Sequence, residues 1–168
     1  MANGTRKSRQ WVTSDIDSNV LAATATQIIR NMTSDFETVM GRNSASVTVL
    51  ALKGRIQLTH GSTSAGPFPI KVALGVAWIP ENMVTVGEVP NPLDEDYDWI
   101  WRDVSYGVGP HTGGGIPLRS PSDTGIVVDS KSMRRQAQTQ SKLCLIGRNE
   151  GANSITRIGN IRTLYALP

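Results

Sequence analysis

Residues 44–60, SASVTVLALKGRIQLTH, constrain the fold more than any other stretch. Leu50, Leu52, Ile56 and Leu58 share one parity, while Lys53, Arg55 and Gln57 take the other. Successive side chains of an extended chain point to opposite faces, so this alternation describes a strand with one buried side and one cationic side. Gly54 interrupts the pattern and is expected to mark a bend or bulge. A single strand cannot bury its own apolar face. The remaining chain must therefore supply further strands to cover it.

It does so at short intervals. FPIKVALGVAWIP reads as a second long strand, apolar on both sides near its middle and stopped by Pro80; WIWRDVSYGVG reads as a short aromatic strand. TGIVVDSKSM, SKLCLIG and NSITRIGNIRTLYAL follow, separated by Gly, Pro, Asn and Asp. Such spacing predicts an all-β sandwich or barrel. In SNVLAATATQIIRNM, Leu21, Ala25, Ile28 and Met32 stand at helical spacing with Ser18 as an N-cap. The threonines there suit a strand pair equally well, and both readings stand. The segments 87–98 and 109–122 are long for hairpin loops and are expected at the surface or in contacts. No internal repeat, heptad pattern or interdomain linker is visible.

The 168 residues suit one domain with a sizeable core. Seventeen basic residues against fourteen acidic leave a formal charge of +3. Arg6, Lys7 and Arg9, in the opening run MANGTRKSRQW, equal that whole excess. The chain is accordingly divided into a basic N-terminal arm, residues 1–12, and a nearly neutral domain, residues 13–168. No apolar block follows the cations, so they do not front an export signal. An arm of this kind either stays solvated or meets phosphates. The apolar runs are about half of what a membrane span needs, and no membrane partner is expected.

Side chains that could carry chemistry are sparse. Cys144 is the single cysteine, set among Leu143, Leu145 and Ile146, where a small buried hydrophobe is the usual role. His60 and His111 lack companions at metal-ligand spacing, and no Gly-x-Ser-x-Gly elbow supports a hydrolase. GVGPHTGGG lacks the Gly-Lys-Ser/Thr of a phosphate-binding loop and precedes no helix. LDEDYD gathers Asp94, Asp96 and Asp98, oxygen donors for a divalent cation in principle, but without EF-hand spacing. A solvated acidic loop is the preferred reading, and no cofactor is expected. Trp99 and Trp101 share parity and are expected to point to one face as apolar anchors for a subunit contact.

Four passages carry a resemblance to a known family. They are VLALKGRIQL; VALGVAWIPENMVTVGEVPNPLDEDYDWIWRD; VVDSKSMRR; and LCLIGRNEGANSITRIGNIRTLYALP. In their order the chain resembles the small single jelly-roll capsid proteins of Rep-encoding circular single-stranded DNA viruses and related minute icosahedral viruses. The resemblance implies an eight-stranded antiparallel jelly-roll sandwich that assembles with copies of itself, about sixty in the smallest closed shell. It implies a virion component, assembled inside a host cell around a single-stranded nucleic acid genome, with DNA favoured. Arg6, Lys7 and Arg9 would then meet phosphates inside the shell, joined by Lys53 and Arg55 if their face lines the interior. Lys131, Arg134 and Arg135 would either join them or pair with the acidic loop of a neighbouring subunit.

The arm departs from the long Arg-rich arms of many such proteins. Sixty copies at +3 bring only roughly 180 positive charges, against one negative charge per nucleotide. Contacts between subunits would then have to drive assembly. The expected role is a coat protein without catalytic activity. The alternative is a non-assembling β-sandwich module in which tryptophans stack on single-stranded nucleic acid or carbohydrate. A cupin-like enzyme is disfavoured, because the histidine signature of its metal site is absent.

Overall fold

The computed structural model describes residues 8–43, 47–60, 70–107, 116–117, 126–130, 135–151 and 154–167. The apolar alternation around residue 55 becomes strand β3 (Thr48–His60). Its partner along the whole length is β10 (Ile155–Ala166), paired antiparallel with Arg55 opposite Asn160 and Lys53 opposite Arg162. β1 (Arg9–Leu21) covers the other edge of β10, with Trp11 opposite Leu164 and Thr13 opposite Arg162. On the far edge of β3 lie three consecutive short pieces, β6 (Ile116–Pro117), β7 (Ile126–Ser130) and β8 (Arg135–Gln136). Together they occupy one strand position.

The second layer has the order β2 (Thr26–Asn31), β9 (Ser141–Asn149), β4 (Ile70–Pro80) and β5 (Trp101–Gly107), all antiparallel. The pairings are nested: β1 with β10, β2 with β9, β3 with β7, and β4 with β5. A long antiparallel hairpin rolled over two layers produces this nesting. The fold is an eight-stranded jelly roll, one of the β sandwiches that the alternation and strand spacing predict and the one that the resemblance implies.

The core lies between the layers. β3 contributes Val49, Leu52, Ile56 and Leu58; β4 contributes Val72, Leu74, Val76 and Trp78; β9 and β10 add Leu143, Leu145, Ile155, Ile161 and Tyr165. Leu50 is half-buried rather than inward. A bulge opposite Leu164 and Tyr165 leaves it out of the pairing and shifts the parity, so that Val49 takes the inward place. Gly54 is not the bulge that its break in the pattern suggests. Its strand runs straight through, and a Cβ there would strike the Asn160 carbonyl oxygen; one on Gly159 would strike that of Arg55. The two glycines let β3 and β10 approach where Arg55 and Asn160 pair.

The helical reading of residues 18–32 gives way to its alternative. This stretch forms the end of β1 and β2, because Leu21 and Ile29 fill the sandwich from two layers. The helix α1 starts where that stretch ends, at Met32–Met40. The Asn31 side chain caps it by accepting from the Ser34 amide, and Gly41 ends it in the left-handed conformation at φ 61°. Met32 and Phe36 close one end of the core, with the Phe36 ring 4.7 Å from that of Tyr165.

β4 is buried on both sides, and the structure shows what covers its outer side. The six-residue helix α2 (Glu81–Val86) follows Pro80 directly, and the chain from Gly87 to Ile100 folds back over the second layer. Ala77, Ile79, Cys144 and Ile146 meet Met83, Val84, Val89, Tyr97 and Trp99 there. Cys144 is thus a packing residue, and burial pushes its thiol up to about 12 despite Lys142 nearby. No described helix is long and apolar enough to cross a membrane.

Gly54→Ala is expected to lower stability by roughly 2 kcal/mol or more through the clash with Asn160, read as a drop in the urea midpoint. Cys144 is expected to stay unreactive toward thiol reagents at mildly alkaline pH in the native protein. The thiolate is the reactive form, and here it forms only well above the usual cysteine range. Its labelling rate should rise only with denaturant, in step with unfolding.

Candidate nucleic-acid interface

The two outer faces of the sandwich are treated differently. That of the β2–β9–β4–β5 layer is covered by α2 and the segment after it. The outer face of the β1–β10–β3–β7 layer carries exposed Arg9, Thr13, Asp15, Lys53, Arg55, Asn160, Arg162, Val127 and Asp129, with Trp11 and Leu164 half-buried among them. Register builds the cationic part. Arg162 and Lys53 stand side by side on β10 and β3, and Arg55 follows two residues along β3.

Trp11 reaches across from β1 to these cations. The Arg162 guanidinium carbon lies 5.2 Å and the Lys53 ammonium 5.9 Å from the centroid of its ring, both over the ring. Each cation gains a modest electrostatic attraction there without surrendering its hydration. Neither Lys53, Arg55 nor Arg162 forms an ion pair with another described residue. Several cations elsewhere are so engaged: Arg30 with Asp35, Arg102 with Glu95, Arg135 with Asp98, Lys142 with Glu37 and Glu81, and Arg148 with Glu150. Asp15 on β1 and Asp129 on β7 flank the cationic strip on either side.

The residues singled out in the sequence distribute as follows. Lys53 and Arg55 lie on the open face together, as their parity requires. Arg9 lies on the same face of β1, opposite Ala166. β1 starts at Arg9, so the last four residues assigned to a free arm are sheet-paired; the β10 edge supplies their hydrogen-bond partners. Arg6 and Lys7 lie outside the described residues, as do Lys131, Arg134 and His111. Arg135 donates to both carboxylate oxygens of Asp98, at 2.8 and 3.1 Å, and so finds the acidic loop of its own chain.

Trp99 and Trp101 do not share a face. Trp101 begins β5 opposite Val76 and packs on the main core, whereas Trp99 packs on the outer cluster. Alternation fails between them because Trp99 precedes the ladder: its amide donates to the Tyr97 carbonyl, and that of Ile100 to Val76. The Trp99 ring packs against Gly75, 2.5 Å from where a Cβ would stand, and its Nε1 donates to the Asp94 carbonyl at 2.7 Å. Tyr97 packs at 5.2 Å from it and donates its hydroxyl to the Trp78 carbonyl. Both tryptophans are partly buried against their own chain.

In the acidic loop one Asp94 carboxylate oxygen accepts from the Asp96 amide, and Asp98 pairs with Arg135. Among the described residues no group of three or more His, Cys, Asp or Glu side chains converges. Two grooves at the α1–α2 end are lined by Pro80, Glu81, Asn82, Thr85 and residues 138–142, with no aromatic side chain. Sequence reasoning missed Trp11 and Arg162 as partners of Lys53. Parity places each on an outer face; only the register brings them together.

No family model and no curated protein matches this chain. Solved structures overlay loosely. A chain of the infectious bursal disease virus Gx strain structure is 11% identical, with 95% of this chain covered, 32% of that one, and a TM-score of 0.36. This chain thus spans about a third of that neighbour. The 60-mer BFDV capsid protein is 11% identical over 95% of this chain and 92% of its own, with a TM-score of 0.29. The xylanase 10B CBM22-1–GH10 structure of Clostridium thermocellum is 9% identical over 91% of this chain and 26% of its own, with a TM-score of 0.33.

Trp101→Ala is expected to cost roughly 3 kcal/mol by opening a void at the core edge, whereas Trp11→Ala should cost less than about 1 kcal/mol. Urea midpoints of the two variants check the contrast between a packing tryptophan and a surface one.

Proposed function

We propose that this protein is a viral coat protein that acts by assembly rather than catalysis, its copies forming a small closed shell around a single-stranded nucleic acid. The observation that carries the reading is the contrast between the two outer faces of the jelly roll. One is covered by the chain's own segment after Pro80; the other is exposed and displays Lys53, Arg55 and Arg162 around Trp11, none of them in an ion pair with another described residue. An open basic sheet surface suits sequence-independent contact with a polyanion.

In this reading Arg6, Lys7 and Arg9 contact phosphates together with the basic surface. Shell formation rests on symmetric contacts between copies, to which the partly exposed edges of Trp99 and Trp101, and Lys131 and Arg134, are assigned. Arg135 is better assigned to holding the acidic loop in place. The virion is the proposed location, sixty copies the proposed number, and DNA the proposed cargo. The competing reading is a monomeric module that binds single-stranded nucleic acid through the same face. Trp11 favours nucleic acid over carbohydrate in that case, since cations line its ring.

Size-exclusion chromatography with light scattering, recorded at 260 and 280 nm, separates the two. A megadalton particle with a high absorbance ratio is expected. A monomer or small oligomer at every salt and pH would replace the coat reading with the binding module.

A further inference from the structure

We infer that Trp11, Arg162, Lys53 and Arg55 form one nucleotide-binding strip, in which a base of single-stranded nucleic acid stacks at the Trp11–Arg162 surface while its phosphates follow Lys53 and Arg55. The inference deepens the nucleic-acid part of the proposed function and rests on it. Three observations select this ligand.

First, the strip joins an aromatic ring to cations in one place. Trp11 is half-buried and Arg162 is exposed, with its guanidinium over the Trp11 ring at 5.2 Å from the centroid, so that indole and guanidinium form one stack. Bases stack on indole rings and on guanidinium planes alike, and such stacking tolerates any sequence. Second, Lys53 and Arg55 point the same way from one strand, separated by two residues, or roughly 6.7 Å. That step is comparable with the one between successive phosphates of an extended single strand. Third, the cations sit together: Lys53 and Arg162 are paired across the two inner strands and Arg55 follows on β3, with Arg9 on the same face of β1. A polyanion is therefore drawn to β10 and β3. Exposed Val127 and Ile158, at 53% and 47% of full exposure, add apolar surface for further bases beside Arg55 and Gln57.

A duplex keeps its bases stacked on one another and presents none to an indole, which selects a single strand. Carbohydrate would leave the three cations without counter-charge.

The test uses the full chain with fluorescein-labelled oligothymidylate, read by anisotropy at protein concentrations below the onset of association in light scattering. Trp11→Ala is expected to weaken binding about tenfold and Trp11→Phe to retain most of the affinity, with both variants folded and their unfolding midpoints only slightly lowered. Arg55→Ala should lower the slope of log affinity against log salt by about one, whereas Trp11→Ala should leave that slope unchanged. Lys71→Ala, which removes a cation from the other layer, should have little effect. Equal affinity for the wild type and Trp11→Ala, or equal losses for Arg55→Ala and Lys71→Ala, would overturn the strip. The coat reading fails separately: a chain that never assembles can still lose oligonucleotide binding on Trp11→Ala, and a shell can form whose variants all bind alike.

Discussion

The close approach of β3 and β10 is the constraint on which the rest of the structure depends. At Arg55 and Asn160 the two backbones come near enough that neither Gly54 nor Gly159 tolerates a Cβ. Everything in the first layer is referred to this ladder. β1 pairs with the free edge of β10, and β6, β7 and β8 share the free edge of β3. The register it sets is also the register of the surface, because Arg162 lies beside Lys53 only in this alignment. A slip by one residue would turn Lys53 and Arg55 inward and Ile56 and Leu58 outward, at the cost of several buried side chains. The core thus holds the cations in place from the opposite side of the sheet.

The second layer solves a different problem. β4 and β9 are apolar on both faces, and a sandwich buries only one. The chain after Pro80 supplies the missing cover from within the subunit, using Met83, Val84, Val89, Tyr97 and Trp99. Small residues make room for it: Gly75 receives the Trp99 ring, and Ala77 and Cys144 keep the outer surface low. The acidic loop is stitched into the same cover by Arg102, which donates to the Pro92 carbonyl and to Glu95, and by the Arg135–Asp98 pair. Glu95 and Asp98 thus fasten the loop to the sandwich beneath. A jelly roll with one face sealed in this way has one sheet face left to offer to a ligand.

Much of the architecture was legible in the sequence, because a period-two alternation is a direct record of which face is buried. Residues 52–58, 70–80, 141–149 and 155–166 all carry it or its two-sided apolar variant. Legibility failed where a residue left the ladder. Leu50 sits in a bulge, Trp99 precedes its strand, and α1 begins only after the helical spacing in residues 21–32 has ended. In each case parity is still readable but no longer reports direction, since the backbone has inserted an extra residue or turned. The site was legible by halves: Lys53 and Arg55 are two apart on one strand, and local alternation puts them together.

What the sequence determined by itself is therefore the strands from residue 48 onward, most of their buried faces, the burial of Cys144 and the outward side of Lys53 and Arg55. All of these follow from nearest-neighbour geometry along one extended chain. Only the tertiary structure decided which strands lie side by side, that residue 11 meets residues 53 and 162, that Trp99 and Trp101 serve different cores, and that the acidic loop is used within its own subunit. These are contacts between residues far apart in the chain. They depend on register and on the nesting of strand pairs, and the cooperative packing of both layers sets those, with no local pattern to announce them.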